Sequence, residues 1–141
     1  MTTLPFIHLR LHTEYSIADG LIRIGEAVEA AAEDHQPALG ISDLANLFGM
    51  VKLYEDARAA GVKPVMGCDV WITNEADRDN PSRLLLYVKN KVGYHQLCDL
   101  LSKAWLENVY NDRAEIRVEW LEELTNSQQG NQLLALSGAH F

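Results

Sequence analysis

The sequence has few of the features that mark secreted, membrane-bound or disordered chains. It contains only 2 cysteines in 141 residues, Cys68 and Cys98, and they form no C-x-x-C pair. Two scattered thiols are typical of a reducing compartment, not of a disulfide-stabilised secreted protein. The longest clear apolar run, Leu84 to Val88, is too short to cross a bilayer, and no basic start followed by an apolar stretch opens the chain. We therefore expect a cytoplasmic protein with no membrane partner.

Basic residues are also scarce. The chain has 12 Lys and Arg against 20 Asp and Glu, for a formal net charge of −8, and acids outnumber bases in both halves. A surface that binds nucleic acid usually shows a basic patch, because neutralising phosphates supplies most of its affinity. We therefore expect that this segment does not bind DNA by itself.

The remaining composition is that of an ordinary globular domain. Apolar residues make up 48% and charged residues 23% of the chain, and no tract rich in Pro, Gly or Ser interrupts it. This length is enough to bury one core. We predict one domain over residues 1–141 without an internal boundary. The chain stops just after a predicted strand with no covering helix, which favours a domain truncated at its carboxyl end.

Predicted strands and helices alternate along the chain. Apolar and polar residues alternate over 6–12, which predicts a strand with His8, Arg10 and His12 on one face. The other predicted elements are a helix from 24 that ends before Pro37, a strand over 38–41, a helix from about 47 to 61 capped by Asn46, a strand over 62–72 interrupted by Gly67, a strand over 84–88, a long helix with Trp105 facing inward, a helix over 118–124 and a strand over 133–136. This order predicts an α/β fold with parallel strands, in an open sheet or a barrel.

Polar side chains lie where the predicted strands end. His8, Arg10 and His12 occupy the first strand, Asp43 follows the second, and Asp69 lies beside Cys68 on the third. Sites in parallel α/β folds form at the carboxyl ends of strands. Imidazoles and carboxylates that converge there could hold a divalent metal for phosphoester chemistry. Cys68 is more typical of a small buried residue than of a nucleophile.

Several motifs occur in the order known from one family. They are FIHLRLHTEYS at 6–16 followed by Asp19-Gly20, SDLANLFG at 42–49, GVKPVMG at 61–67, and Lys89-Asn90 with Gly93-Tyr94. They resemble the polymerase and histidinol phosphatase (PHP) family, in the version found at the amino terminus of the bacterial DNA polymerase III alpha subunit. The resemblance implies a distorted parallel β/α barrel with a metal centre at its carboxyl end, of which this chain would form the first part.

The implied metal site departs from the family pattern. The first motif of the family has His-x-His, where this chain has Arg10 and His12; a guanidinium offers only donors and cannot bind a cation. The second motif keeps Asp43, but Leu44 replaces a histidine and has no ligating atom. An acid, usually Glu, follows the third motif, and here it is Asp69.

His12, Asp43 and Asp69 therefore remain able to ligate metal, while His8 is expected to line the barrel mouth. Our hypothesis is that Arg10 replaces the metal beside Asp43 and Asp69, so that no catalytic residue and no cofactor are expected in this segment. Removing a buried partner charge costs roughly 3–5 kcal/mol, which is the destabilisation expected of Arg10→Ala.

The resemblance also implies a function for the parent chain. That chain would be a DNA-directed DNA polymerase, a nucleotidyltransferase of DNA replication that uses magnesium in a separate palm domain. This segment would be a scaffold that docks the proofreading exonuclease subunit and meets other holoenzyme subunits, with DNA contacted by other domains. Two alternatives stay open: a metal-dependent phosphoesterase or 3'-5' exonuclease with a residual site, and a stand-alone small-molecule phosphatase.

Overall fold

The structure, a computed structural model, describes residues 4–138. The chain divides into two compact units, residues 1–68 (the first unit) and 69–141 (the second unit). The elements are a 3-10 helix Glu14–Asp19, α1 Ile24–Glu33, β1 Ala38–Leu44, α2 Met50–Ala60, β2 Lys63–Ile72, β3 Ser82–Val88, α3 Lys91–Glu107, β4 Val109–Tyr110, β5 Arg113–Ile116, α4 Val118–Thr125 and β6 Leu133–Ser137. The α/β class is confirmed. The undivided domain stays a prediction.

The core of the first unit lies between its two helices and β1, which pairs with β2. Ile24, Val28 and Ala31 recur at helical spacing and form the buried face of α1. They pack with residues of β1, α2 and the start of β2 in one apolar cluster: Leu39, Ile41, Met50, Leu53, Ala57 and Val62. Six of the seven residues of β1 are buried, so its carboxyl end delivers side chains into the interior.

The helix ends of the first unit follow the sequence signals in part. α2 ends at Gly61, whose φ of 73° is the left-handed conformation that glycine adopts without strain. The prediction that Asn46 caps α2 is wrong, because the helix begins at Met50. The Asn46 amide instead donates to the carbonyls of Tyr15 (2.8 Å) and Leu44 (3.1 Å). Asn46 therefore fastens the loop before α2 to the chain around the 3-10 helix.

The predicted first strand, 6–12, is not a regular strand. The segment runs beside β1, where the Gly40 amide donates to the His8 carbonyl (2.7 Å) and the Ser42 amide donates to the Leu11 carbonyl (2.9 Å). The two amides are two positions apart in β1, whereas the two carbonyls are three positions apart in the segment. This extra residue interrupts a regular strand ladder. A Cβ at Gly40 would lie 2.8 Å from the Leu9 carbonyl oxygen, so only glycine permits this close approach.

In the second unit the strands follow the order β4-β5-β2-β3-β6. Parallel pairing is confirmed for β2 and β5, which align Trp71 with Glu115. It is wrong for β3–β6 and β4–β5, which are antiparallel. The β4–β5 connection is a two-residue turn, and a turn that short joins antiparallel strands only. The predicted interruption of β2 is also wrong, because Gly67 lies inside the continuous strand Lys63–Ile72.

The second unit corrects two further predictions. The β4–β5 hairpin was not predicted; its turn residues Asn111 and Asp112 have φ values of 46° and 60°, the type I′ geometry that suits a twisted hairpin. Trp105 is 50% exposed, not inward, because the buried stripe of α3 ends with Leu101 and Ala104. None of the helices between residues 4 and 138 is long and apolar enough to span a membrane.

Candidate functional site

Asp43 lies near the carboxyl end of β1, in the interior of the first unit, with a fully buried side chain. Its Oδ1 accepts hydrogen bonds from the Thr13 amide at 2.6 Å and the Ser16 hydroxyl at 2.8 Å. The Thr13 hydroxyl lies 2.8 Å from Oδ2 and 3.0 Å from Oδ1. Within residues 4–138, Thr13 and Ser16 are the side-chain partners of this carboxylate, and neither carries a charge.

The two hydroxyls also accept hydrogen bonds, so Asp43 fixes the backbone around it. The Thr13 hydroxyl accepts from the Tyr15 amide at 3.2 Å and thereby caps the 3-10 helix. The Ser16 hydroxyl accepts from the Leu44 amide at 3.0 Å, next to Asp43 in the chain. Donors and acceptors are thus matched in this group, which we call the Asp43 clamp. A matched buried network of this kind favours one conformation.

Cys68 contacts the backbone behind the Asp43 clamp. Its thiol is fully buried and donates to the Asp43 carbonyl at 3.2 Å and the Asn46 carbonyl at 3.5 Å. A thiol used in this way is a small packing residue with a weak donor. The arrangement agrees with the structural role that the sequence favoured over nucleophilic chemistry.

The residues of the first motif occupy different environments. His8 is exposed, and its ring meets that of Phe6 edge to face with 4.6 Å between centroids. The side chain of His12 is 14% exposed, with Nδ1 3.9 Å from Oδ2 of Asp19. Arg10 and Leu44 are half-buried. The Asp19 contact gives His12 an acidic neighbour within the same motif.

Asp69 begins the second unit, on β2, and is also fully buried. Both of its oxygens bind Arg83 of β3: Nε donates to Oδ1 at 2.9 Å and Nη2 donates to Oδ2 at 2.6 Å. The Arg83 guanidinium is 4.1 Å from the centre of the Trp71 ring. This two-pronged pair, the Asp69–Arg83 pair, matches the planar fork of guanidinium to carboxylate and supplies a full positive charge.

Sequence reasoning missed Arg83, and it also missed a second buried carboxylate in the same unit. Glu115 on β5 is fully buried, with Oε1 2.9 Å from Nη2 of Arg78 and Oε2 3.6 Å from Nη2 of Arg113. Asn108 donates to the Glu115 carbonyl at 2.9 Å and to the Thr73 hydroxyl at 2.8 Å. The available signal was limited to Glu115 between the apolar residues Ala114 and Ile116, with Arg113 two positions away as a possible partner charge.

The described residues do not fit the metal that the family resemblance implies. No group of three or more His, Cys, Asp or Glu side chains between residues 4 and 138 could hold a metal ion. Asp43 accepts hydrogen bonds from Thr13 and Ser16, and both oxygens of Asp69 accept from Arg83. Neutral hydrogen bonds leave a carboxylate able to ligate metal, so what opposes a cation here is the Arg83 guanidinium, which donates to both oxygens of Asp69.

The amino-acid sequence is similar to bacterial proteins called DNA polymerase III subunit alpha. It is 46% identical over 144 residues to the protein of Neisseria meningitidis serogroup A, covering 100% of this chain and 12% of that protein. It is 38% identical over 137 residues to the protein of Pseudomonas aeruginosa, covering 97% and 11%. It is 37% identical over 136 residues to the protein of Escherichia coli, covering 96% and 11%. The chain spans about an eighth of the length of the curated relatives it matches.

Two solved structures share the fold. One is a candidate metal-dependent phosphoesterase from Bifidobacterium adolescentis, with a TM-score of 0.57 and 17% identity, covering 72% of this chain and 34% of that one. The other is an amidohydrolase from Chromobacterium violaceum with bound sulfate and no metal, with a TM-score of 0.56 and 18% identity, covering 70% and 32%. The family model described as the PHP domain matches residues 8–141. The chain therefore belongs to the PHP domain family.

Proposed function

We propose that this chain is a segment of the alpha subunit of a bacterial DNA polymerase III. The parent protein would carry out template-directed DNA synthesis, with magnesium bound in a polymerase domain outside this segment. The support is 37–46% identity to named alpha subunits over 96–100% of the chain. The net charge of −8 agrees with DNA being contacted by other parts of the parent chain.

Within the parent protein we propose a scaffold role without hydrolysis. One observation carries this proposal: Asp43 and Asp69, the two family acids in this segment, are both buried and hydrogen-bonded to protein donors. The Asp69–Arg83 pair supports the idea that a guanidinium takes the place of a metal ion. Arg10, in our proposal, is a second such guanidinium in the degenerate metal site.

The scaffold is proposed to dock the proofreading exonuclease subunit, alongside other subunits of the polymerase III holoenzyme in the cytoplasm. The support is the similarity to alpha subunits, together with the buried acids that are hydrogen-bonded within the protein. If these acids do not bind metal, the fold is retained for another role. A domain that keeps its fold while its ligand positions change is expected to serve packing and assembly.

The test uses the natural full-length protein that contains this segment. We expect primer extension in the presence of magnesium, co-purification of the proofreading exonuclease, and no hydrolysis of p-nitrophenyl phosphate with zinc or manganese. Phosphatase activity that survives inactivation of the polymerase site and disappears with chelator would contradict the scaffold role. Loss of the exonuclease from the purified complex would remove the docking proposal and leave the polymerase proposal intact.

A metal-dependent phosphoesterase or 3'-5' exonuclease is the second candidate. It is favoured by the fold shared with a candidate metal-dependent phosphoesterase and by His12, whose Nδ1 lies 3.9 Å from Asp19. It requires metal-stimulated hydrolysis that His12→Ala abolishes. His35→Ala, which changes an exposed histidine outside the motifs, is the matched control.

A further inference from the structure

A groove lies between α1 and the amino-terminal segment of the first unit. It encloses about 460 Å³, and apolar side chains form its floor, among them Leu11, Ile22 and Leu39. Ala27, Ala30 and Ala31 of α1 form one wall, and their small side chains leave the space open. The volume falls within the range of about 300–1,000 Å³ typical of ligand sites.

Two acidic side chains are among the residues that line the groove. Glu26 and Asp34 line it and lie eight residues apart on or just after α1, which corresponds to about 12 Å along a helix axis. Glu29 and Glu33 are exposed on the same helix, and no Lys or Arg occurs between residues 24 and 36. Arg23, directly before α1, is exposed but does not line the groove, so the groove combines an apolar floor with two acidic lining residues, Glu26 and Asp34.

Gln36 links two of the residues that line the groove. The Gln36 amide donates to Asp34 Oδ2 at 2.8 Å, and its Oε1 accepts from the His8 amide at 3.4 Å. Ile24 and Val28 anchor the other face of α1 in the core of the unit. A preformed apolar depression costs little reorganisation when a ligand binds.

We propose that this groove binds a linear peptide segment of a partner protein, with bulky apolar residues between two basic residues. The apolar residues would occupy the floor, and the basic residues would meet the Glu26 and Asp34 carboxylates. An extended peptide rises about 3.3 Å per residue, so two basic residues four positions apart span the distance between these acids. The inference deepens the proposed scaffold role, on which it rests, by naming a docking surface and the chemistry of its partner.

The probe is a fluorescein-labelled peptide containing Arg-Leu-Ser-Phe-Arg, in which Leu and Phe share one face of an extended chain. It is titrated with the natural full-length protein and followed by fluorescence anisotropy. Two matched peptides contain Glu-Leu-Ser-Phe-Glu, which reverses the charge, and Arg-Gly-Ser-Ser-Arg, which removes the apolar residues. We expect the first peptide to bind at least about tenfold more tightly than either control, since binding needs both apolar burial and opposite charge.

Two pairs of variants locate the binding. Ala30→Leu fills the groove with a good helix former and should weaken binding about tenfold, while Ala59→Leu on the exposed face of α2 should leave it unchanged. Glu26→Gln should weaken binding about two- to fivefold, and the exposed Glu55→Gln should not. Circular dichroism of each variant checks that the fold is retained.

Three results would overturn the inference. The acidic or apolar-free peptide could bind as tightly as the basic one, or Ala30→Leu could bind as well as Ala59→Leu. The third result is that none of the peptides binds and Ala30→Leu lowers the melting temperature. That result would mean that another part of the parent chain fills the groove. Co-purification of the exonuclease is scored separately, so failure of the groove and failure of the scaffold role give different outcomes.

Discussion

The two units bury their carboxylates by different means. In the first unit Asp43 is surrounded by neutral donors, the Thr13 amide and the hydroxyls of Thr13 and Ser16. In the second unit Asp69 and Glu115 are each bound to arginine. Neutral donors offset the lost hydration of an acid through several hydrogen bonds, whereas arginine adds a full positive charge, from Arg83 at Asp69 and from Arg78 and Arg113 at Glu115. The first solution depends on several weaker contacts, and the second depends on fewer, charged ones.

The arginines that bind these carboxylates also lie against aromatic rings. Arg83 lies 4.1 Å from the centre of the Trp71 ring, and Arg78 lies 4.5 Å from that of Tyr110. A guanidinium is weakly hydrated and stacks on aromatic faces, so it can be buried where an ammonium could not. The comparison predicts that the second unit is more sensitive than the first to the loss of one side chain.

The largest effect is expected from Arg83→Ala. The substitution removes the guanidinium that donates to both oxygens of the fully buried Asp69, and we expect the free energy of unfolding to fall by about 3–5 kcal/mol. Chemical denaturation measures this. The control is Arg117→Ala, which removes an ion pair to Glu75 of similar length, 2.7 Å, between side chains that are 40% and 65% exposed. Equal losses of unfolding free energy in Arg83→Ala and Arg117→Ala would contradict a special role of the buried pair.

A smaller loss, about 2 kcal/mol, is expected from Glu115→Gln, because the amide keeps the shape but loses the charge that binds two arginines. The figure is discounted for solvent screening, since the side chains of Arg78 and Arg113 are 31% and 24% exposed. Thermal unfolding of this variant is compared with that of Glu123→Gln, an exposed position on α4. An equal melting temperature in the two variants would argue against a charged cluster at Glu115.

Ser16→Ala tests the first unit. It removes one hydroxyl of the Asp43 clamp, and we expect a loss of about 1–2 kcal/mol because the carboxylate keeps the two donors of Thr13. The exposed Ser102→Ala on α3 should change stability by less than about 0.5 kcal/mol. Denaturant midpoints give both values. A loss as large as that of Arg83→Ala would remove the distinction between the two units.

The smallest effect concerns Tyr110. Its hydroxyl donates to Asp79 at 3.1 Å, and this hydrogen bond, followed by the charge of Asp79, raises the Tyr110 pKa above its ordinary value of 10.0. Because the folded state favours the protonated phenol, its contribution to stability is present below pH 10 and is lost as the pH rises through the raised pKa. Asp79→Asn should lower the Tyr110 pKa, measured by phenolate absorbance. An unchanged or higher value would exclude Asp79 as the cause.

Much of the fold could be predicted because local patterns determine it. The helical spacing of Ile24, Val28 and Ala31 indicated α1, and the glycine at position 61 indicated the end of α2; both are local features. The hairpin over 109–116 was missed because its turn, Asn111-Asp112, lacks the glycine that usually marks this geometry. The register between 6–12 and β1 was missed because it depends on a close backbone approach at Gly40.

The candidate site was predictable at its acids and not at their partners. The motifs singled out Asp43 and Asp69, which are both fully buried. Thr13 and Ser16 lie 30 and 27 positions from Asp43 in the chain, and Arg83 lies 14 positions from Asp69. Such pairings join segments that meet only in the folded chain, and no periodicity of the sequence reveals them. The proposal that Arg10 supplies a second guanidinium stays a prediction.

The central claim is that buried acids in this PHP domain are satisfied by protein donors instead of a metal. It is tested most directly by elemental analysis of the natural full-length protein, purified without chelator, offered zinc and then dialysed. The account predicts less than about 0.1 equivalent of zinc and no rise in melting temperature. One or more tightly bound equivalents, removed together with stability by a chelator, would contradict it and make His12, Asp43 and Asp69 the first ligands to test.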